Sequence, residues 1–138
     1  MKLTRRHTLG GALAASAALA APSVIGATRP RAVVIGGGAG GGTAARYIAK
    51  DSKGEVEVTL IEPSRTYYTC FFSNLYLGGF RTLDSIAHSY GKMASQGVNV
   101  VHDWATGVDR DAKEVALAGG GRVPYDRLIV APGIDFRW

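Results

Sequence analysis

From residue 28 onward, apolar positions come in short runs set apart by glycine, proline and small polar residues. Arg31-Ala-Val-Val-Ile35 is an unbroken apolar run with β-branched residues, the pattern of a strand covered on both faces. Gly36-Gly-Gly-Ala-Gly-Gly41 follows at once, and Thr43 to Lys50 then sets Ala44, Ala45, Ile48 and Ala49 on one helical stripe. After Asp51-Ser-Lys-Gly54, the segment Glu55 to Ile61 alternates and then turns apolar, a second strand halted by Glu62-Pro63. Strand, helix and strand within about thirty residues form a β-α-β unit. Glu62 to Gly79 reads as a long connection rich in aromatics, and Thr82 to Ser95 as one or two short helices. Val98 to Val101 is a further strand. Ala105 to Arg110, Glu114 to Leu117 and Arg122 to Tyr125 predict a small antiparallel meander, with turns at Asp111-Ala-Lys113 and Gly119-Gly-Gly121. Arg127 to Ala131 is another buried strand, stopped by Pro132-Gly133. The order of elements predicts an α/β fold with a parallel sheet and a small β-meander.

The first 27 residues follow a different rule. Met1-Lys-Leu-Thr-Arg-Arg6 is a charged start, Leu9 to Ala21 is apolar, and Ala-Pro-Ser-Val-Ile-Gly-Ala27 supplies a small-residue exit. Those are the three regions of an export signal, with cleavage expected near Ala27 or near Ala20. The apolar stretch is too short and too rich in Ala and Gly for a membrane helix, so no integral membrane segment is expected once it is removed. Thr4-Arg5-Arg6-His7-Thr8-Leu9 resembles the twin-arginine pattern, with Thr8 where a Phe is usual; an ordinary secretory signal is the other reading. Either route leads to the periplasm.

Charge changes little once the leader is set aside. The 138 residues carry 16 cations and 11 acids, and the leader supplies Lys2, Arg5 and Arg6 but no acid, leaving thirteen against eleven. A net charge of about +2 for the remainder gives no reason to expect a nucleic-acid partner. With 46% hydrophobic and 20% charged residues, disorder is excluded. The single cysteine, Cys70, is unusual for an oxidising compartment, where it has to be buried, modified or paired with something outside this sequence.

Gly36-x-Gly38-x-x-Gly41 leaves a strand and opens a helix, and Glu62 stands 21 residues after Gly41 at the end of the next strand. Each part has a mechanical reason. Gly36 permits the tight turn, Gly38 lets a pyrophosphate approach the backbone, and Gly41 lets helix and strand pack closely. Phosphates then meet unpaired N–H groups at the positive end of the helix dipole. The Glu62 carboxylate is suited to accept from ribose hydroxyls and to repel a 2′-phosphate. Strand, glycines, helix and acid in that order identify a Rossmann-like dinucleotide site, without separating FAD from NAD.

The stretch Glu62-Pro-Ser-Arg-Thr-Tyr-Tyr-Thr-Cys-Phe-Phe-Ser-Asn74, with Gly78-Gly79 beyond it, resembles the flavoprotein subunit of flavocytochrome c sulfide dehydrogenase. The likeness runs on through Ser85-Ile-x-His88-x-Tyr90, Val100-Val-His-Asp103, Ala105-Thr-Gly107 and Tyr125-Asp-Arg127 to Val130-Ala-Pro-Gly-Ile134, so it covers residues 31–135. The resemblance implies FAD joined covalently through its 8α-methyl group to the sulfur of Cys70. A positioned thiolate is a competent nucleophile for that electrophilic carbon. Eight residues separate Glu62 from Cys70, a reach of at most roughly 26 Å, enough to run from ribose to ring in a stretched FAD.

By the same resemblance, Ala131-Pro-Gly133 corresponds to the Ala-Thr-Gly segment whose backbone, at Ala131 and Gly133, meets the ADP part of the ligand. Ala105 is a candidate for backbone contact with adenine. Tyr67, Tyr68, Phe71 and Phe72 either wall the flavin ring or fill core beneath the loop, and Phe71-Phe72 departs from the Tyr-Leu more usual in that family. Ser73 and Asn74 are expected to cap a short helix. His88 is read as a solvated residue on a helix and His102 as a structurally satisfied one. No metal-ligand cluster, Ser-His-Asp set or carboxylate pair is visible in the sequence.

The resemblance further implies a periplasmic enzyme that oxidises sulfide through a redox-active disulfide and FAD, passing electrons singly to a c-type cytochrome subunit. Neither cysteine of that disulfide is in this sequence, so no catalytic residue is assigned to it. Residues 28–138 are expected to be the N-terminal part of an FAD-binding domain from a protein of roughly 400 residues. That part alone is expected to be inactive and poorly soluble. Two alternatives stand beside it: a sulfide:quinone or other disulfide-reductase-like flavoprotein with non-covalent FAD, and a truncated fragment with no catalysis.

Overall fold

The computed structural model describes residues 28–134. The expected export signal therefore lies outside the described residues. Four strands form a parallel sheet: β1 (Arg31–Ile35), β2 (Glu57–Ile61), β5 (Val98–Val101) and β9 (Arg127–Val130). Their order is β5-β2-β1-β9, so β1 is central and the strand that follows each crossover joins the sheet alongside an earlier one. Helix α1 (Ala39–Asp51) connects β1 to β2, completing the β-α-β unit read from the sequence.

Alternation along the strands divides the core in two. Val34, Val58, Leu60 and Val98 face α1, where Ala45 and Tyr90 close the layer. Val33 and Ile61 face the opposite way, against Val115 and Tyr125. That second cover is the meander of β6 (Ala105–Asp109), β7 (Glu114–Leu117) and β8 (Arg122–Pro124), antiparallel throughout. A parallel sheet is stable only when both faces are covered, and here helix and meander each cover one. Each fully buried valine or leucine in these layers contributes roughly 1.5–3 kcal/mol. Asp103 fastens the meander to the sheet, accepting from the amides of Trp104 at 2.7 Å and Gly119 at 3.0 Å. Asp126 fastens β9 to β1, accepting from the Arg31 amide at 2.7 Å and from its guanidinium at 3.3 Å.

Three sequence expectations are corrected. Helix α1 starts at Ala39, inside the glycine run rather than at Thr43, and Gly41 in its first turn makes the close approach to the sheet. Thr82 to Ser95 is not simply helical. A 3-10 turn at Leu83–Ile86 and the short helix α3 (Gly91–Ala94) enclose strand β4 (Ala87–Ser89), which pairs antiparallel with β3 (Thr66–Tyr68). His88 thus sits on a strand, opposite Tyr67. In α2 (Ser73–Leu77), the Ser73 hydroxyl donates to the Cys70 carbonyl at 2.9 Å instead of capping the helix, and Phe72 takes the left-handed turn at φ 65°. Among the described residues, no helix is long and apolar enough to cross a membrane.

Candidate dinucleotide-binding site

The carboxyl ends of β1, β2 and β5 stop at one level, and the site is built across them. The Gly36 amide donates to Ile61 O at 2.9 Å, and the Glu62 amide to Val101 O at 2.9 Å. The chain then turns out of β1 with Gly36 at φ +96°, a conformation that disfavours side chains. A Cβ on Gly36 would strike the carbonyl of Ala131, whose own amide donates to Ile35 O at 2.8 Å. A Cβ on Gly41 would strike the carbonyl of Gly36 and stand 3.3 Å from Val34 Cγ1. The roles read for these two glycines, a tight turn and close packing of helix on strand, are what the structure shows.

Gly38 differs. It is the N-terminal cap of α1, it supplies no side-chain bond to the helix amides, and a Cβ there would meet only Tyr67, at 4.0 Å. The first amides of α1 lack intrahelical partners, so this end is positive, sterically open and uncapped. A cleft of about 440 Å³ opens beside it, within the ordinary range for small-molecule sites. Gly38, Thr43 and Arg46 form one wall and Tyr67, Thr69 and Phe71 another, with His88 and Lys92 also lining it. Arg46 and Lys92 bring positive charge to the same opening. Two phosphates fit this donor set.

The Glu62 carboxylate is already oriented. One oxygen accepts from the Gly37 amide at 2.7 Å and the other from the Ser64 amide at 2.9 Å. On the other side of the same turn, the Tyr90 hydroxyl donates to Gly37 O at 3.0 Å. Burial, and then the negative charge of Glu62, push the Tyr90 hydroxyl up to about 12, so it remains a donor. His102 Nδ1 lies 3.0 Å from Glu62 O, and its ring meets Tyr90 edge-on at 5.9 Å. His102 is therefore structurally employed, as its sequence position implied.

The structure brings Gly36, Gly38, Gly41, Glu62 and Ala131 together around one turn. Gly133 follows at φ +80° with open space where a Cβ would stand. Ala105 is placed at the start of β6, opposite Leu117 and packed into the sheet–meander core. Cys70 is exposed and does not itself line the cleft, although its neighbours Thr69 and Phe71 do. Of the loop aromatics, Tyr68, Phe71 and Phe72 are all more than half exposed, so none of these three is filling core among the described residues. Gly37, Arg46 and Lys92 carry no signal of their own in the sequence, and Tyr90 stands there only as one letter of a likeness. A buried tyrosine's need for a hydrogen-bond partner is the signal that singles it out.

Residues 30–137 match the pyridine nucleotide-disulphide oxidoreductase family. The chain belongs to that family. Among its relatives, the sulfide-quinone reductase of Aquifex aeolicus (strain VF5) is 31% identical over 104 residues, 73% of this chain and 24% of that protein. The flavoprotein chain of the sulfide dehydrogenase [flavocytochrome c] of Chlorobaculum thiosulfatiphilum is 48% identical over 44 residues, 32% of this chain and 90% of that sequence. The X-ray structure of the sulfide:quinone oxidoreductase from Aquifex aeolicus shares the fold, with a TM-score of 0.71 at 24% identity over 79% of this chain and 25% of that one. This chain thus spans about a quarter of the length of the sulfide–quinone proteins it matches.

Proposed function

We propose that this chain is the N-terminal, FAD-binding part of a periplasmic flavoprotein that oxidises sulfide and passes the electrons to a c-type cytochrome subunit. The observation that carries the reading is the position of Cys70. It is the one cysteine of the chain, it is exposed, and it lies between two residues that line the cleft at the glycine turn, without lining that cleft itself. When bound, FAD supplies a two-electron oxidant able to release electrons one at a time. The residues present would hold it as follows: Gly38 and the uncapped start of α1 at the diphosphate, Glu62 at the ribose, and Cys70 as the covalent 8α-S-cysteinyl anchor. Residues 1–27 serve in this reading as a twin-arginine-type signal, compatible with export of a folded, loaded protein.

The test is the state of the sulfur. Flavin should stay with the full chain after acid precipitation, and mass spectrometry of tryptic peptides should find Cys70 carrying it. In Cys70→Ala, acid should release all of it. A colourless protein, or an unmodified Cys70 in flavin-loaded material, overturns the covalent assignment.

A second reading has its own support. The sulfide-quinone reductase of Aquifex aeolicus (strain VF5) is 31% identical over 73% of this chain, and the sulfide:quinone oxidoreductase structure from Aquifex aeolicus shares its fold with a TM-score of 0.71. On that reading the FAD is non-covalent and the electrons go to a quinone, so denaturation frees the flavin from the unaltered chain.

A further inference from the structure

We propose that Tyr90 is a positioning residue, which aims the Gly38 amide at the ligand by holding the carbonyl of Gly37. The inference rests on the dinucleotide-site reading above and assigns a part of that site to a residue outside the glycine motif. The carbonyl of Gly37 and the amide of Gly38 belong to one peptide plane, and the peptide bonds of this chain are trans among the described residues. In a trans peptide the C=O and N–H point in opposite directions. Fixing Gly37 O toward Tyr90 at 3.0 Å therefore turns the Gly38 N–H away from Tyr90. With glycine on both sides of that plane, little in the backbone itself opposes its rotation.

Both sides of Gly37 are gripped. Its amide is taken by Glu62 at 2.7 Å and its carbonyl by Tyr90. A Cβ on Gly37 would stand 2.6 Å from the Tyr90 hydroxyl oxygen and 2.8 Å from Glu62 Cγ, so this variable letter of the motif is closed to every side chain here. Tyr90 is in turn immobilised, 6% exposed within the layer that holds Val34, Leu60 and Val98. His102 braces its ring from the side while reaching Glu62 O. Tyr90 thus ties the sheet core to the helix mouth, and Glu62 holds Gly37 by its amide, so the turn is set before any ligand arrives.

The experiment uses the full chain carrying Cys70→Ala, so that flavin binding is reversible, titrated with FAD through quenching of flavin fluorescence. Tyr90→Phe in this background keeps the ring and removes the hydroxyl alone. If the aligned turn is then only a tenth populated, Kd rises about tenfold, and the association rate carries the change. Amide hydrogen exchange of the peptide spanning residues 36–42, measured without ligand, speeds up by a similar factor. An unchanged Kd and unchanged exchange overturn the role of Tyr90 and leave the dinucleotide site standing. Failure of the Cys70→Ala chain with Tyr90 intact to bind FAD overturns both. Should Tyr90→Phe not fold, Gly37→Ala presses a methyl group against the same hydroxyl; weaker FAD binding in the folded variant supports the inference, and an unchanged Kd overturns it.

Discussion

The carbonyl of Ala131 fills the space that a side chain on Gly36 would need. The first strand's exit and the last described strand's end are therefore locked at the glycine turn. Gly36→Ala adds a Cβ at φ +96° and into that carbonyl, a strain of about 2–4 kcal/mol. We expect the melting temperature to fall by about 10 °C or more, with dinucleotide binding weakened in whatever remains folded. Thermal unfolding followed by circular dichroism measures the first effect and FAD titration the second.

Tyr90 gives stability a signature at high pH. Its hydroxyl is raised from 10.0 to about 12 in the folded chain, so the folded state holds that proton more tightly than the unfolded one. The resulting stabilisation is full below about pH 10, the unfolded value, and is lost as pH rises through the folded value. The difference in unfolding midpoint between the parent and Tyr90→Phe should be constant from pH 6 to 9 and change only above that. Denaturant melts across the series check it; a difference that moves between pH 6 and 8 contradicts the assignment.

Asp126 gives the opposite signature. Its hydrogen bonds to the Arg31 side chain and amide hold the carboxyl below its usual value. That contribution is present above about pH 4, the unfolded value, and disappears as pH falls through the lowered folded value. Asp126→Asn should therefore melt below the parent at pH 7 and converge on it in acid. Because the pair is solvent-exposed, its effect should also shrink as salt is added.

The meander is held to the sheet by a small number of side chains, and Val115 is completely buried among them. Val115→Ala should cost about 2 kcal/mol through lost burial and the cavity left behind. Val130 is 62% exposed on the outer strand, and Val130→Thr should change stability by less than about 0.5 kcal/mol. Parallel denaturant titrations separate the two.

Strands β1, β2, β5 and β9, the glycine turn and the three meander strands were all legible in the sequence, because apolar runs and turn residues are local signals. The β3–β4 pair was not. Its partners, Tyr67 and His88, are joined by a ladder of three residue pairs across an intervening helix, and no periodicity within either segment announces the pairing. The site divided in the same way. Gly36, Gly41 and Glu62 followed from spacing, whereas the grip of Tyr90 on Gly37 exists only once β2 and α3 pack on the same face. Ala105, a candidate by resemblance alone, packs against the sheet–meander core.

Gly37 is braced from 53 positions downstream, and Gly36 is backed by Ala131, later still. A nascent polypeptide that has released only its first β-α-β unit from the ribosome displays the whole fingerprint but neither brace. The turn is therefore complete only after β9 has joined the sheet, and a mutation that slows that docking should weaken ligand binding even though every motif residue is intact.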